Sequence, residues 1–145
     1  MISTIHPIPA FSDNYIWAIR EAGGNRICVV DPGDALAVID FLDSNGYQLS
    51  DILITHHHPD HTGGIQELLR SYSCRVIGPG SSGIKGLSDT VSEGDSVEIF
   101  GQTFTVVEVP GHTLDHIAFY SEQQGILFCG DTLFAAGCGR LFEGT

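Results

Sequence analysis

Histidine and aspartate are crowded into one short stretch in the first half of the chain. Residues 56–61 place four imidazoles and one carboxylate in six consecutive positions. The stretch follows an apolar run at residues 52–54, which predicts a buried strand, and it precedes Gly63, Gly64 and a helical pattern. Imidazole and carboxylate groups at the end of a strand are suitable ligands for zinc, iron or manganese. The stretch therefore predicts a metal site and not a piece of hydrophobic core.

The order of these residues indicates how the ligands divide. Side chains alternate along an extended segment, so His56 and His58 project to one side and His57 projects to the other. Asp60 and His61 lie in the first turn of the predicted helix, from which they can face back toward the same region. Because zinc prefers four ligands, this geometry favours two neighbouring ions over one ion with five ligands.

Two further segments have the same form. The predicted strand at residues 103–109 leads into a Gly-His-Thr sequence that contains His112, and the strand at 125–129 leads into a Gly-Asp-Thr sequence that contains Asp131. Sheet folds place their functional sites at strand ends in this way. His116 follows four residues after His112 and is expected to support the site from outside the ligand set.

Composition limits the possible partners and compartments. The 145 residues are 42% hydrophobic, which predicts one globular domain over residues 1–145. The net charge of −12, from 18 acidic and 6 basic residues, argues against a nucleic-acid partner and against an anionic membrane surface. The chain shows no secretory signal and no apolar run of about 18 residues, and its scattered cysteines lack a C-x-x-C pair. We therefore expect a cytoplasmic protein with reduced thiols.

Hydrophobic periodicity predicts an α/β layered fold in which helices cover at least one mixed sheet. The predicted helices span residues 34–45 and about 60–72, and the pattern shows no final helix, which suggests a piece of a longer protein. The predicted strands are residues 2–8, 15–21, 26–31, 52–55, 75–78, 96–100, 103–109, 116–121 and 125–129.

These motifs together resemble the metallo-β-lactamase superfamily, whose mark is T-H-x-H-x-D-H followed by G-H-T and then G-D-T. The turn at residues 30–33 resembles that superfamily as well. The resemblance implies a metallo-β-lactamase-like αβ/βα sandwich of mixed β-sheets with flanking helices, incomplete here at its C-terminus, and a two-metal site on one edge. Within the superfamily the chain is most similar to the glyoxalase II (hydroxyacylglutathione hydrolase) family, on the strength of residues 8–17, 55–64 and 130–145.

The resemblance also implies a role for each candidate ligand. Zinc is the expected metal, with iron and manganese as alternatives. Both aspartates of the set would act in catalysis by orienting the hydroxide that attacks the substrate. The implied ligands are His56, His58 and His112 for the first ion, Asp60 and His61 for the second, and Asp131 bridging both.

The implied reaction is hydrolysis of an S-(2-hydroxyacyl)glutathione thioester, such as S-lactoylglutathione, to a 2-hydroxy acid and glutathione, a step of methylglyoxal detoxification. By analogy Arg140 contacts glutathione, and Phe142 stands where the family often has tyrosine. Asp31 is expected to brace the histidine segment without touching the metal. The family's last metal-ligand histidine and its helical region lie beyond residue 145, so we expect a weak second metal site and possible self-association, although the full-length family is monomeric.

Two alternatives stay open at this point. One is a mononuclear-iron dioxygenase of the same superfamily that acts on a glutathione persulfide. The other is an inactive truncated fragment that binds metal. The charge balance disfavours a nuclease of the superfamily, and the lack of a signal disfavours a secreted β-lactam hydrolase. Metal stoichiometry separates the first alternative, and thioester turnover separates the second.

Overall fold

Two β-sheets lie at the centre of the fold, and two helices cover one of them among the described residues. The computed structural model describes residues 2–10, 14–55, 64–79, 87–108, 117–122, 125–129 and 132–135. The helices are α1 (Ala35–Asn45) and α2 (Ile65–Ser71). The first sheet contains β1 (Ile2–Ala10), β2 (Asn14–Glu21), β3 (Arg26–Val30), β4 (Gln48–Leu53), β5 (Arg75–Pro79) and β6 (Asp89–Val91). The second contains β7 (Ser96–Ile99), β8 (Gln102–Glu108), β9 (Ile117–Ser121), β10 (Ile126–Cys129) and β11 (Thr132–Ala135).

Strand direction differs between the two sheets. In the first sheet the order is β1-β2-β3-β4-β5-β6, with antiparallel pairing from β1 to β3 and parallel pairing from β3 to β6. The parallel part arises because α1 connects β3 to β4 and α2 lies between β4 and β5. The second sheet is antiparallel throughout, in the order β11-β10-β9-β8-β7. The prediction of a mixed sheet covered by helices is confirmed.

Alternating side chains of the first sheet build two separate cores. On β2, Ile16 and Ala18 pack toward the helices, while Trp17 and Ile19 pack toward the second sheet. The central strands are therefore apolar on both faces, as expected for strands covered on both sides. The second sheet contributes one apolar face to the core between the sheets, formed by Val97, Ile99, Phe104, Val106, Ile117, Phe119, Ile126 and Phe128.

The predicted boundaries are mostly confirmed, with some differences. β4 begins at Gln48 and ends at Leu53, so residues 54 and 55 belong to the turn that follows it and not to the strand. The described part of the second helix begins at Ile65, and residues 60–63 of the predicted helix lie outside the described residues. Two short strands, β6 and β11, were not predicted. No helix in the described ranges is both long and apolar enough to cross a membrane.

The first helix has well-defined ends. Asp34 is its N-cap, and its side chain accepts hydrogen bonds from the backbone nitrogens of Leu36 (3.1 Å) and Ala37 (3.3 Å). Gly46 ends the helix with φ = 69°, a left-handed conformation that glycine adopts without strain. The Asp34 cap fixes where α1 starts after the end of β3. The candidate site is predicted at this edge of the sheet.

Removing the N-cap should destabilise the fold modestly. We expect Asp34→Ala to lower the free energy of unfolding by about 1 kcal/mol, because the first-turn N–H groups lose their acceptor. Urea unfolding followed by circular dichroism measures this change. Asp34→Asn is the control and should be close to wild type, because its side-chain oxygen still accepts from the same N–H groups. Equal losses in the two variants would contradict the capping role.

Candidate metal centre

The predicted ligands and substrate contacts all lie outside the described residues. Among the residues that the structure describes, no three metal-binding side chains form a group. What the structure does describe is the residues that immediately flank each predicted segment. The predicted residues outside the described ranges are His56, His58, Asp60, His61, His112, His116, Asp131, Arg140 and Phe142.

The start of the histidine segment is fixed by a buried aspartate. Thr55 precedes His56, and its backbone nitrogen donates to Asp31 Oδ1 at 2.7 Å. The Thr55 hydroxyl donates to Asp31 Oδ2, also at 2.7 Å. Asp31 is 2% exposed and Thr55 is fully buried, so water does not compete for these bonds. Both carboxylate oxygens of Asp31 are thus used to hold the residue next to the predicted ligands.

Asp31 itself adopts an uncommon backbone conformation. Its φ is 54°, in the left-handed region where aspartate and asparagine are tolerated better than most residues. The backbone supports it on both sides, since Asp31 N donates to Leu53 O at 2.8 Å and Gly33 N donates to Asp31 O at 2.9 Å. Local strain of this kind persists only where the surroundings over-determine it, and such positions cluster at functional sites.

The other end of the same segment returns to the same turn. Gly64 follows the segment 56–63, and its backbone nitrogen donates to the Pro32 carbonyl oxygen at 3.0 Å. Pro32 is the neighbour of Asp31 in the sequence. The segment contains four of the six candidate ligands, and the residues on either side of it, Thr55 and Gly64, therefore contact two consecutive residues of one turn.

The second predicted segment ends beside Thr55. Ile117 begins β9 directly after segment 109–116, and its backbone nitrogen donates to the Thr55 carbonyl oxygen at 2.8 Å. This bond joins the first sheet to the second at the edge where β4 ends. The residue before His56 and the residue after His116 are thus directly hydrogen-bonded.

The third segment lies at the same edge of the second sheet. β9 and β10 run antiparallel with Phe119 opposite Phe128, so the end of β10 lies beside the start of β9. Cys129 then pairs with Thr132, which leaves residues 130 and 131 as the connection from β10 to β11. The flanks of all three predicted ligand segments are therefore at one edge of the sandwich.

A divalent metal fits this arrangement in the chemistry of its donors. The three segments carry imidazole and carboxylate groups, which suit zinc, iron and manganese. The described turn supplies a carboxylate, Asp31, and both of its oxygens accept hydrogen bonds from Thr55, the residue before His56.

Cys28 and Cys74 are poor candidates for nucleophilic chemistry. Cys28 and Cys74 are free thiols. Burial, with a smaller contribution from Asp51, raises the pKa of Cys28 well above its usual value and the pKa of Cys74 to about 11. Both thiols stay protonated at neutral pH, and the thiol form is not the nucleophile.

Pro32, Gly64 and Ile117 were not predicted from the sequence as contributors to the site. Each acts through backbone atoms, and a backbone contact between distant residues leaves little trace in residue type. The one usable signal was Gly64, since a glycine directly after a ligand-rich segment can mark a close approach of the backbone.

The described structure is an α/β sandwich of two sheets in which the flanks of three segments rich in imidazole and carboxylate residues lie at one edge. This architecture is that of a class of metal-binding proteins. The family model of the Metallo-beta-lactamase superfamily matches residues 11–143, and the chain belongs to this superfamily. Its membership implies that it binds divalent metal ions.

Individual relatives are similar over nearly the whole chain. The chain is 56% identical over 143 residues to hydroxyacylglutathione hydrolase of Chromohalobacter salexigens, which covers 98% of this chain and 56% of the relative. The values for the protein of the same name from Photobacterium profundum are also 56%, 98% and 56%. The chain thus spans about half the length of the curated relatives it matches. The crystal structure of the BLEG-1 B3 metallo-beta-lactamase aligns with a TM-score of 0.76 at 25% identity, covering 90% of this chain and 73% of that one.

Proposed function

We propose that this chain carries the metal-binding part of a hydroxyacylglutathione hydrolase. The observation that carries the proposal is the 56% identity over 143 residues to relatives of that name. The convergence of three segment flanks at one sheet edge supports it independently, because the reaction needs all three segments in one site. The substrate class is an S-(2-hydroxyacyl)glutathione thioester, and the products are a 2-hydroxy acid and glutathione.

The proposed ligands keep the roles given by their positions in the motifs. Zinc is the proposed metal. Two such ions, when bound, would lower the pKa of a shared water toward neutrality and polarise the thioester carbonyl. Asp60 and Asp131 would orient the attacking oxygen. The proposed ligands are His56, His58 and His112 on one side, Asp60 and His61 on the other, and Asp131 between them.

The remaining residues would hold the loops and the substrate. Asp31 fixes the start of the histidine segment through Thr55, and His116 would support the ligands from outside their set. Arg140 would bind a carboxylate of glutathione, since a chain with a net charge of −12 needs a local cation to hold an anionic substrate. Phe142 would pack beside the glutathione moiety. A glutathione thiol with a pKa of about 8.5 leaves as the thiolate, so no general acid is required.

The cytoplasm is the proposed compartment. Glutathione keeps thiols reduced there, and Cys28 and Cys74 are free thiols. The proposed partner is a small anionic thioester and not a nucleic acid, because a net charge of −12 disfavours a nucleic-acid partner.

Thioester hydrolysis and metal content, measured on the same sample, test this function. The zinc-loaded chain should hydrolyse S-lactoylglutathione, and the loss of thioester absorbance measures the rate. A strong chelator should abolish this rate. Re-addition of zinc should restore it, which separates metal removal from unfolding. Zinc-loaded protein with no rate above buffer would contradict hydrolysis by this chain and would favour the inactive metal-binding fragment. If the chain instead binds one ferrous ion and takes up oxygen when it is given a glutathione persulfide, the dioxygenase is the correct function.

A further inference from the structure

Gly64 occupies a position in which no side chain fits. A Cβ atom there would lie 2.5 Å from the carbonyl oxygen of Pro32 and 2.8 Å from the backbone nitrogen of Ala35. Both are backbone atoms of the turn that leads into α1, so they cannot swing aside as the end of a long side chain can. Gly64 has φ = −89° and ψ = −8°, which other residues can adopt. Space, and not backbone conformation, is what requires glycine here.

The close approach brings the beginnings of the two helices together. Gly64 precedes α2, and Ala35 is the first residue of α1. The Gly64 nitrogen donates to Pro32 O at 3.0 Å, and the Gly64 carbonyl accepts from Leu68 N at 3.0 Å within the first turn of α2. Gly64 therefore fixes the start of α2 against the same turn that holds Thr55 through Asp31.

We propose that Gly64 is a positioning residue for the proposed metal centre. Thr55, before segment 56–63, is hydrogen-bonded to the side chain of Asp31, and Gly64, after it, is hydrogen-bonded to the carbonyl oxygen of Pro32. Because Asp31 and Pro32 are consecutive, one turn holds both flanks of the segment. This inference rests on the proposed function, because it assigns to the segment the metal ligands of that function. Gly64 is proposed neither as a metal ligand nor as a substrate contact. It acts through the backbone of Pro32.

The size of the clash indicates why a side chain at position 64 should weaken metal binding. An ordinary carbon–oxygen separation is about 3.3 Å, so a methyl group at Gly64 would push the two backbones apart by roughly 0.8 Å. Ligand distances in a metal site tolerate only about ±0.2 Å. A shift at one end of a segment that carries several ligands is therefore larger than the site can absorb unless the segment itself distorts.

Gly64→Ala should weaken zinc binding at least tenfold, measured by competition with a chromophoric chelator. The visible spectrum of the Co²⁺-loaded variant should also change, because it reports the geometry of the ligands and not global stability. Gly46→Ala is the matched control. Gly46 has φ = 69° and a Cβ there would meet nothing within 4 Å, so the substitution strains the fold without a clash near the site. Its zinc affinity should stay within twofold of wild type.

Several results would overturn the inference. Gly64→Ala with wild-type zinc affinity and an unchanged Co²⁺ spectrum would do so, and so would a Gly46→Ala variant that loses as much affinity. If Gly64→Ala does not fold, Pro32→Gly provides the second test, because it loosens the turn without adding atoms. We expect several-fold weaker binding in Pro32→Gly, and unchanged affinity would refute the positioning role. Failure of the wild-type chain to bind zinc would instead overturn the proposed function, on which this inference depends.

Discussion

Replacing His58 by alanine should remove most of the metal from the protein, whereas replacing His57 should leave the metal content nearly unchanged. If residues 56–58 are extended after the end of β4, their side chains alternate, and His57 points away from the ligand pair. Residues that hydrogen-bond to metal ligands typically change metal affinity by about 10–100-fold when mutated. Loss of a direct ligand should cost more, at least about 100-fold.

The two variants form a matched pair, because each removes one imidazole from adjacent positions of the same segment. Metal content by atomic emission after gel filtration measures retention, and chelator competition measures affinity. Urea unfolding of the metal-free forms checks that neither substitution disturbs the fold. Equal metal loss in both variants would contradict the alternation, and loss confined to His57→Ala would reverse the assignment of the ligands.

Much of the fold was predictable because hydrophobic pattern determines it locally. The central strands are apolar on consecutive positions, and β7 and β8 alternate between buried and exposed residues. The start of β4 escaped prediction because Gln48 and Ser50 are polar. The strand β6 is only three residues long and mostly exposed, so its sequence carries no apolar run.

The division into two sheets was not predictable from the same patterns. Trp17 and Ile16 are neighbours on β2, yet one packs toward the second sheet and the other toward the helices. Periodicity shows that a strand has two apolar faces and does not show what covers each one. That choice depends on contacts between distant strands, such as the Ile117 to Thr55 hydrogen bond that links the sheets.

The sequence predicted that the chain binds divalent metal, and it did not predict the backbone contacts that support the site. Ligand residue types are visible in the sequence because few other roles require so many histidines together. Asp31 was expected to brace the histidine segment, but the use of both of its oxygens by Thr55 is a tertiary fact. Pro32 acts through its carbonyl oxygen, which leaves no mark in residue type, and Gly64 is marked only by being a glycine directly after the ligand-rich segment.

Asp31→Ala should have the largest effect on stability near the site. Hydrogen bonds to a charged group contribute about 1.5–3 kcal/mol each, and Asp31 accepts two of them from buried Thr55. Alanine removes the acceptor of both bonds, and alanine at φ = 54° costs about 1 kcal/mol more. We expect a loss of at least about 3 kcal/mol in the free energy of unfolding, a large part of the 5–15 kcal/mol of a typical domain.

Asp31→Asn distinguishes the loss of these bonds from the loss of charge. The asparagine oxygen can accept from Thr55 N, and the amide nitrogen can donate to the Thr55 hydroxyl after that hydroxyl rotates. Asparagine also tolerates a positive φ. We therefore expect Asp31→Asn to lose only about 1 kcal/mol and to keep its zinc, while any folded Asp31→Ala loses about 10–100-fold in zinc affinity. Urea unfolding and chelator competition on both variants measure the two effects. If Asp31→Ala matches Asp31→Asn in both, the buried carboxylate does not hold the histidine segment in place.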